Sequence, residues 1–418
     1  MSIKTHIIAS VIIVASSIAA VATYGEEILT INKALVVAYE NNPRMIEAKH
    51  GIEMAKGDLV TARALPDPEI EFEIGGLKKN EDGKRRTNLD KVGIKQEFEP
   101  LGVRGLKSKI AGNEILIQEE SVRIVWAEIY LLVRENYNKI ILGKKQMELA
   151  NDNLKILRQF YSRVEIQYQS GKAIKNDLQR AKIELLRAEA GYLYVEKEFK
   201  VDKAKLNMLL GRQIDTPLDI EEELKEEEVE VDFKELIQIA FTGKPDIKKE
   251  ELSLDSKEKN LNKEQLSRLP SPFVGFERTT TDSENASAIT IGMSLPLWDL
   301  NHGEVKRAKA ENEAQKLKVE SVKREVVLNV YEAYLTSELA HRQLGLLKKS
   351  LEEANELLRL ADLRYSEGEI DFINFLDQVR TANQTRIEYY EGLFDLNNAI
   401  SKLEKAVYAS FRKEDYLK

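Results

Sequence analysis

The sequence predicts a mainly α-helical chain with a small β part, internally duplicated, in which long coiled-coil helical hairpins alternate with four β-strands. Three observations predict it. The pattern of residues 29–43 returns at 231–245. Each copy holds two short stretches in which apolar and polar residues alternate. Each copy also holds a long run whose apolar residues step by three and four, the two runs lying 197 residues apart in the same register. Charged residues make up 32% of the 418 positions and Pro only 9, a composition that suits long helices with solvated faces.

At the N-terminus, Lys4 and His6 precede an apolar run from Ile7 to Ala22, and Ala20-Val21-Ala22 supplies small residues before Glu26 and Glu27. This is the pattern of an export signal, predicted over 1–22. The same run read as a membrane anchor falls short of the ~20 residues needed to span a bilayer. No other stretch approaches a transmembrane helix, so any membrane span of the exported chain has to be made by strands. Cysteine is absent, which excludes disulfides, thiolate metal sites and thiol nucleophiles. With 63 basic and 71 acidic residues the net charge is −8, the opposite of the basic excess expected of a nucleic-acid binder.

The repeats are predicted over 29–216 and 231–412. The first opens LTINKALVVAYENNP and the second VDFKELIQIAFTGKP. Each reads as a short amphipathic helix stopped at a Pro, which disfavours helical geometry in the residue before it. A second helix then runs to Pro66-Asp67-Pro68 or to Pro270-Ser271-Pro272. Strands follow. Ile70, Phe72 and Ile74 alternate with Glu69, Glu71 and Glu73; Val92, Ile94 and Phe98 alternate with Lys95, Glu97 and Glu99. In the second copy Val274 and Phe276 alternate with Gly275 and Glu277, and Ile289, Ile291, Met293 and Leu295 with Ala288, Thr290, Gly292 and Ser294. A period of two with one apolar face marks sheet. The polar stretches 77–90 and 279–287 are predicted to be loops at the strand tips.

The helical seam of the first copy is Met147, Ala150, Leu154, Leu157, Tyr161, Val164 and Tyr168; that of the second is Leu344, Leu347, Leu351, Ala354, Leu358, Ala361 and Tyr365. Each ends in Tyr-x-x-Gly, at Gly171 and Gly368, and Gly suits the left-handed turn that stops a helix. A return seam runs Leu178, Ala181, Leu185, Ala188, Tyr192, Val195 and Phe199, with Phe375, Ala382, Tyr389 and Leu396 in matching places of the second copy. A helix from Val103 to Tyr168 spans roughly 100 Å at about 1.5 Å per residue. Between the copies, the acid-rich Glu221–Glu230 reads as a solvated linker.

Four strands cannot close a barrel, since single-chain membrane barrels start at about eight, and an open edge in lipid is not viable. If these strands cross a membrane, several chains must pool them, and three chains would give about twelve. Ile70, Phe72, Ile289 and Ile291 would then face lipid, and Glu71, Glu73, Lys95 and Glu97 a watery lumen. A small sheet on a soluble helical body has the same alternation, and the strand pattern alone does not separate the two.

The ordered, duplicated set of motifs resembles the TolC-type outer-membrane efflux proteins over the whole exported chain. The resemblance rests on the repeat, the Pro-x-Pro entries, Gly93-Ile-Lys-Gln-Glu-Phe followed by Gly102-Val-Arg-Gly105, Leu295-Pro-Leu-Trp-Asp-Leu-Asn-His-Gly303, and the two Tyr-x-x-Gly turns. It implies a homotrimer whose shared β-barrel sits in the bacterial outer membrane and continues as an α-helical barrel through the periplasm. It also implies partners, a periplasmic adaptor and an inner-membrane efflux pump, with the chain itself as their exit duct. The resemblance places acidic rings at the periplasmic entrance six and nine residues past the second turn's Gly, here Asn374 and Asp377. Asp371 is an accessory candidate, and Asp177 holds the first-copy equivalent. Asn374 removes one charge per chain, and Ile370 stands where relatives carry a basic latch residue. Tyr168, Gly171, Tyr365 and Gly368 would face the adaptor. The Leu-Trp-Asp-Leu-Asn-His-Gly wording is most similar to the heavy-metal, cobalt-zinc-cadmium resistance branch.

No enzyme signature competes. His6, His50, His302 and His341 lie far apart without ligand spacing, and neither a phosphate loop nor a Gly-x-Ser-x-Gly elbow is present. No catalytic residue, metal ligand or cofactor is assigned. His302 reads as a capping or surface residue at a strand-to-helix turn, and Trp126 and Trp298 as packing or interface anchors. A periplasmic adaptor, also exported and hairpin-bearing, should show one hairpin between β-rich domains. An exported coiled-coil structural protein would need no strand pairs at equivalent places in two repeats.

Overall fold

A computed structural model describes residues 28–74, 78–79, 85–86, 89–220, 223–227, 232–280 and 285–411. The predicted export signal lies outside the described residues. The chain runs α1 (Ile31–Asn41), α2 (Pro43–Arg63), β1 (Glu69–Ile74), β2 (Lys78–Lys79), β3 (Arg85–Arg86), β4 (Leu89–Glu97), α3 (Val103–Gln169) and α4 (Lys175–Leu209). It then repeats as α5 (Phe233–Gly243), α6 (Pro245–Leu266), β5 (Ser271–Thr280), β6 (Asn285–Ser294), α7 (His302–Ser366) and α8 (Phe372–Val407).

The helix boundaries are local chemistry. Thr30 and Asp232 cap α1 and α5 by accepting backbone N–H bonds from Lys33 and Lys234. Pro43 and Pro245 open α2 and α6 as first-turn residues, where a missing N–H costs nothing. The α3 helix has 67 residues and α7 has 65, so each is about 100 Å long. Both end as the sequence predicts: Gly171 and Gly368 adopt φ of 74° and 77°. The N–H groups of Lys172 and Glu369 turn back onto the carbonyls of Gln167 and Arg364.

Side by side, the helices form one open layer of four columns. In its first half α3 lies between α2 and α6, bonded through Arg63 to Ser108 and through Asn113 to Asp255. In its second half α3 lies between α4 and α8, bonded through Arg158 to Glu189 and Asn138 to Asn398. The α7 helix packs on α6 and then on α8. The columns are therefore α2 with α4, α3, α6 with α8, and α7. Each feeds a strand, and the sheet order β1-β4-β5-β6 repeats the column order.

The thickest part is near mid-length, where α1 packs on α3 and the end of α4. Leu35, Met45, Tyr130, Tyr137, Ile140, Leu206 and Leu210 are fully buried there. Trp126 belongs to this core, edge-on to Tyr39 and Tyr130. The second repeat builds a parallel core from Leu236, Ala240, Val330, Leu403 and Val407. Gly211 (φ 68°) lets the end of α4 touch α1: a Cβ there would lie 2.4 Å from the Asn41 carbonyl oxygen.

Three expectations are corrected. The predicted tip loops are shorter: β5 runs to Thr280, β6 starts at Asn285, and 77–90 contains the β2–β3 ribbon and the start of β4. Backbone pairing with a neighbour extends the strands past the point where alternation is visible. At the other end β4 stops at Glu97, and Phe98 only donates its N–H to the Pro272 carbonyl, while Leu295 falls outside β6. The described part of the acidic linker is also more than a solvated tether. Leu224 packs against two hydrophobic clusters, and the Lys225 carbonyl accepts from Asn397. Glu226 pairs with Lys348 at 2.8 Å, which raises the Lys348 pKa through that hydrogen bond and charge.

Candidate functional site

The sheet has two chemically opposite faces, fixed by register. One row of cross-strand partners is Ile70, Ile94, Phe276 and Ile289; the next toward the free tips is Phe72, Val92, Arg278 and Ser287. Toward the helices the same face carries Val274 beside Ile291 and Pro272 beside Met293. Its apolar residues lie open: Ile70, Phe72, Ile289 and Ile291 are 61%, 63%, 73% and 78% exposed. Among the described residues nothing covers this face, unlike the half-buried face a soluble sheet on a helical body would have.

The other face gathers Glu71, Glu73, Lys95 and Glu97, the four residues expected together, and adds Glu69, Lys91 and Glu277. Lys95 pairs with Glu97 at 2.6 Å and Glu69 at 3.7 Å, and Lys91 with Glu277 at 2.9 Å. Phe273 is the aromatic exception on this face. Its ring lies over Gly292, where a Cβ would come within 2.4 Å, and under the Lys95 ammonium at 4.7 Å. Alternation gave the polar face; the Phe273–Gly292 contact depends on register and was not readable from it.

At the far end, the two hairpin tips pack on each other. Phe160 of α3 stacks flat on Phe372 of α8, and Tyr365 stacks on Phe375 at 4.7 Å. Burial pushes the Tyr365 hydroxyl above the ordinary tyrosine pKa, with Arg163 opposing. Tyr168, its counterpart, is 40% exposed, so the two Tyr-x-x-Gly turns are alike in backbone and unlike in packing. Asp371 is the N-cap of α8, accepting from the Asn374 N–H at 2.8 Å. Asn374 and Asp377 lie one turn apart on α8 and both are exposed; Asp177 is exposed in the first turn of α4. An ion pair that the sequence reading missed, Arg380 with Glu184, ties α8 to α4 one turn beyond Asp377. Its partners lie 196 residues apart, and nothing local in the sequence marks them as a pair.

Both edges of the helical layer carry open apolar stripes. On α7 these are Leu328, Leu335, Leu339 and Leu346, spaced by seven and four and between 41% and 66% exposed. On the opposite edge Met54 and Val60 of α2 continue into Leu186, Leu193 and Met208 of α4. Heptad-spaced leucines on an outer face are a coiled-coil seam without its partner. Among the described residues no helix is long and apolar enough to cross a membrane.

These features define a class: a protomer with an unclosed strand layer, apolar outside and charged inside, joined to an unclosed layer of ~100 Å helices. The family model described as outer membrane efflux protein matches residues 34–212 and 236–407, one match per repeat. The chain belongs to the outer membrane efflux protein family. It is similar to the cobalt-zinc-cadmium resistance protein CzcC of Cupriavidus metallidurans, with 21% identity over 388 residues, 90% of this chain and 89% of that one. Its fold matches the Campylobacter jejuni CmeC outer membrane channel with a TM-score of 0.78, 14% identity, and 92% and 90% of the two chains covered. The open state of the Neisseria gonorrhoeae MtrE outer membrane channel matches with a TM-score of 0.76, 19% identity, and 90% and 88% covered. The chain is thus an outer-membrane efflux channel of the tripartite kind, its strands in the outer membrane and its helices in the periplasm. Members of this family are channel proteins that work as trimers with an adaptor and an inner-membrane pump.

Proposed function

We propose that three copies of this chain, each freed of residues 1–22, close head to tail into one duct of twelve strands. Each copy comprises the repeats 29–216 and 231–412. The observation that carries this is the pair of complementary open edges: the α7 leucine stripe at one side and the α2–α4 stripe at the other, on the same two sides as the free outer edges of β6 and β1. A heterologous contact of this kind closes into a ring when the rotation per copy divides a full turn.

In the closed ring, Glu71, Glu73, Lys95 and Glu97 line the barrel lumen and Ile70, Phe72, Ile289 and Ile291 meet lipid. Asp377 carries the charge of the periplasmic entrance, one turn from Asn374 and with Asp177 as the first-repeat counterpart, while Asp371 serves the helix terminus. The turns at Tyr168–Gly171 and Tyr365–Gly368 receive the periplasmic adaptor, which couples the duct to an inner-membrane pump. The similarity to a cobalt-zinc-cadmium resistance protein favours metal cations as cargo. We assign the chain no catalytic step and no cofactor.

The test is the mass and conductance of the detergent-extracted protein. Three chains per particle and ion-conducting pores in planar bilayers are expected, with cation preference reduced in Asp377→Ala. A monomer free in the periplasmic fraction would overturn the duct, and unchanged selectivity in Asp377→Ala would remove that residue from the entrance.

A further inference from the structure

Among the described residues the two most exposed large hydrophobic side chains are Trp298, at 98%, and Leu101, at 89%. They occupy one place in the two repeats. The 197-residue offset that superposes the helical seams carries Leu101 onto Trp298. Each lies four residues past the end of a strand, Glu97 of β4 or Ser294 of β6. Both strand-to-helix corners are fixed in shape. Gly102 turns one at φ 94°, and Leu300 and Asn301 turn the other at φ 46° and 54°, a region costly to residues with a Cβ. Asn301 is held there by donating to the carbonyl and the carboxylate of Glu264, both at 2.9 Å.

With strands in the outer membrane and helices in the periplasm, these corners lie at the periplasmic edge of the bilayer. The 10 residues of β6, at about 3.4 Å each and tilted by about 45°, rise about 24 Å. Membrane barrels carry an apolar band of roughly 25 Å bordered by aromatic girdles, so Trp298 follows where that band ends. Cations come next. Arg104, Lys107 and Lys109 open α3, whose first turn has no acidic residue, and Lys306, Arg307 and Lys309 open α7. Positive charge at a helix N-terminus opposes the helix dipole, so helix stability does not account for it. Lys107 pairs with Glu99, and Arg307 with Glu304 and Glu311. Among the described residues no ion pair engages Arg104, Lys109, Lys306 or Lys309, and all four are exposed.

We propose that Leu101 and Trp298 of each copy form a collar seated among the headgroups of the inner leaflet, and that the four exposed cations after them bind the phosphates of acidic phospholipids. The inference rests on the apolar face of the strands meeting lipid, as proposed above. A second copy of the chain does not explain the pair. Trp298 follows the edge strand β6, but Leu101 follows β4, which lies between β1 and β5, and precedes α3, which lies between α2 and α6. A ring neighbour meets the edges of the layer and leaves that column untouched. The apolar row Ile289, Ile291 and Met293 runs on through the exposed Leu295 toward Trp298, so the corner continues the lipid-side surface. An indole suits this level, since its ring packs on the acyl boundary while its N–H stays wet.

The chain has two tryptophans and Trp126 is buried, so the emission lost in Trp298→Phe is that of Trp298. Full-length protein is reconstituted into vesicles of phosphatidylethanolamine and phosphatidylglycerol, brominated either near the glycerol or near the methyl ends of the acyl chains. The shallow bromines should quench most of the Trp298 emission, and the deep bromines and aqueous acrylamide little of it. Quenching by acrylamide alone places Trp298 in water, and protection from every quencher places it under another chain; either result overturns the collar. In native mass spectrometry, Arg104→Gln and Lys306→Gln should each weaken retention of phosphatidylglycerol relative to phosphatidylcholine about fivefold. Unchanged retention overturns the phosphate contact. Flotation and conductance separate the two readings. Wild-type protein that does not float with the vesicles overturns the duct and the collar with it. Protein that floats and conducts while acrylamide alone quenches Trp298 overturns the collar and leaves the duct standing.

Discussion

Ile289 and Ala288 are chain neighbours, both exposed in the protomer, and they separate a membrane wall from a soluble sheet. Ile289 sits in the row with Ile70, Ile94 and Phe276, in the middle of the apolar face; Ala288 faces Glu277 on the charged side. If the apolar face meets lipid, Ile289→Arg places a cation near the bilayer midplane at a cost of about 2–4 kcal/mol per copy, or about 6–12 kcal/mol for three. Ala288→Arg places the same charge in water opposite a carboxylate and should fall within about 0.5 kcal/mol of wild type. The assay is urea unfolding in phospholipid vesicles followed by tryptophan fluorescence, together with the fraction of chain recovered in the outer membrane. Ile289→Arg should unfold at markedly lower urea and Ala288→Arg should not. If the two variants shift together, the lipid-facing assignment fails, since a water-exposed sheet offers no reason to treat adjacent exposed positions differently.

Two glycines with the same left-handed backbone should respond differently to Ala. Gly368→Ala has open space around it and costs about 1–2 kcal/mol of conformational energy, whereas Gly211→Ala adds a clash with the Asn41 carbonyl and should cost clearly more. Thermal unfolding of the pair checks the order, and equal shifts would refute it. Leu339→Glu, at a position 56% exposed in the protomer, should leave the chain folded yet reduce the detergent particle from three copies to one, as read by its mass. A trimer that survives Leu339→Glu would move the inter-copy seam elsewhere. Asp371→Ala removes an N-cap and should lower stability by about 1 kcal/mol while leaving ion selectivity intact, the reverse of Asp377→Ala. Loss of selectivity in Asp371→Ala would show that the cap also faces the pore.

What the sequence disclosed follows from what periodicity can carry. The strand faces, the seam from Leu344 to Ala361, and the Gly171 and Gly368 stops are local patterns, and the chain adopts them. The return seam was also legible: Ala181 and Ala382 are fully buried where it places them. What lay hidden depends on partners far apart in sequence. Arg380 meeting Glu184, Phe160 stacking on Phe372, and Asn397 holding the linker carbonyl at Lys225 need the columns side by side before they exist. The β2–β3 ribbon escaped for a different reason. Its residues are all cations with no apolar alternation, so composition read it as loop, and only their pairing with each other, in a two-stranded sheet of its own, makes it strand.

The duplication itself argues for association. The α3 helix, in the first repeat, has a column on each side because the second repeat supplies α6 and α8. Its counterpart α7 has the same length, the same kind of seam and the same Gly stop, yet only one neighbouring column. The side of α7 facing away from α6 and α8 still carries Leu328, Leu335, Leu339 and Leu346 at heptad spacing. A repeat built to sit between two neighbours satisfies both copies only if another first repeat follows the second. The strands make the same demand more strictly: β1 and β6 end the sheet with unpaired backbone, and in lipid those groups have no water to bond. Helical and strand layers thus ask for the same partner, another copy of this chain, on the same side and in the same order.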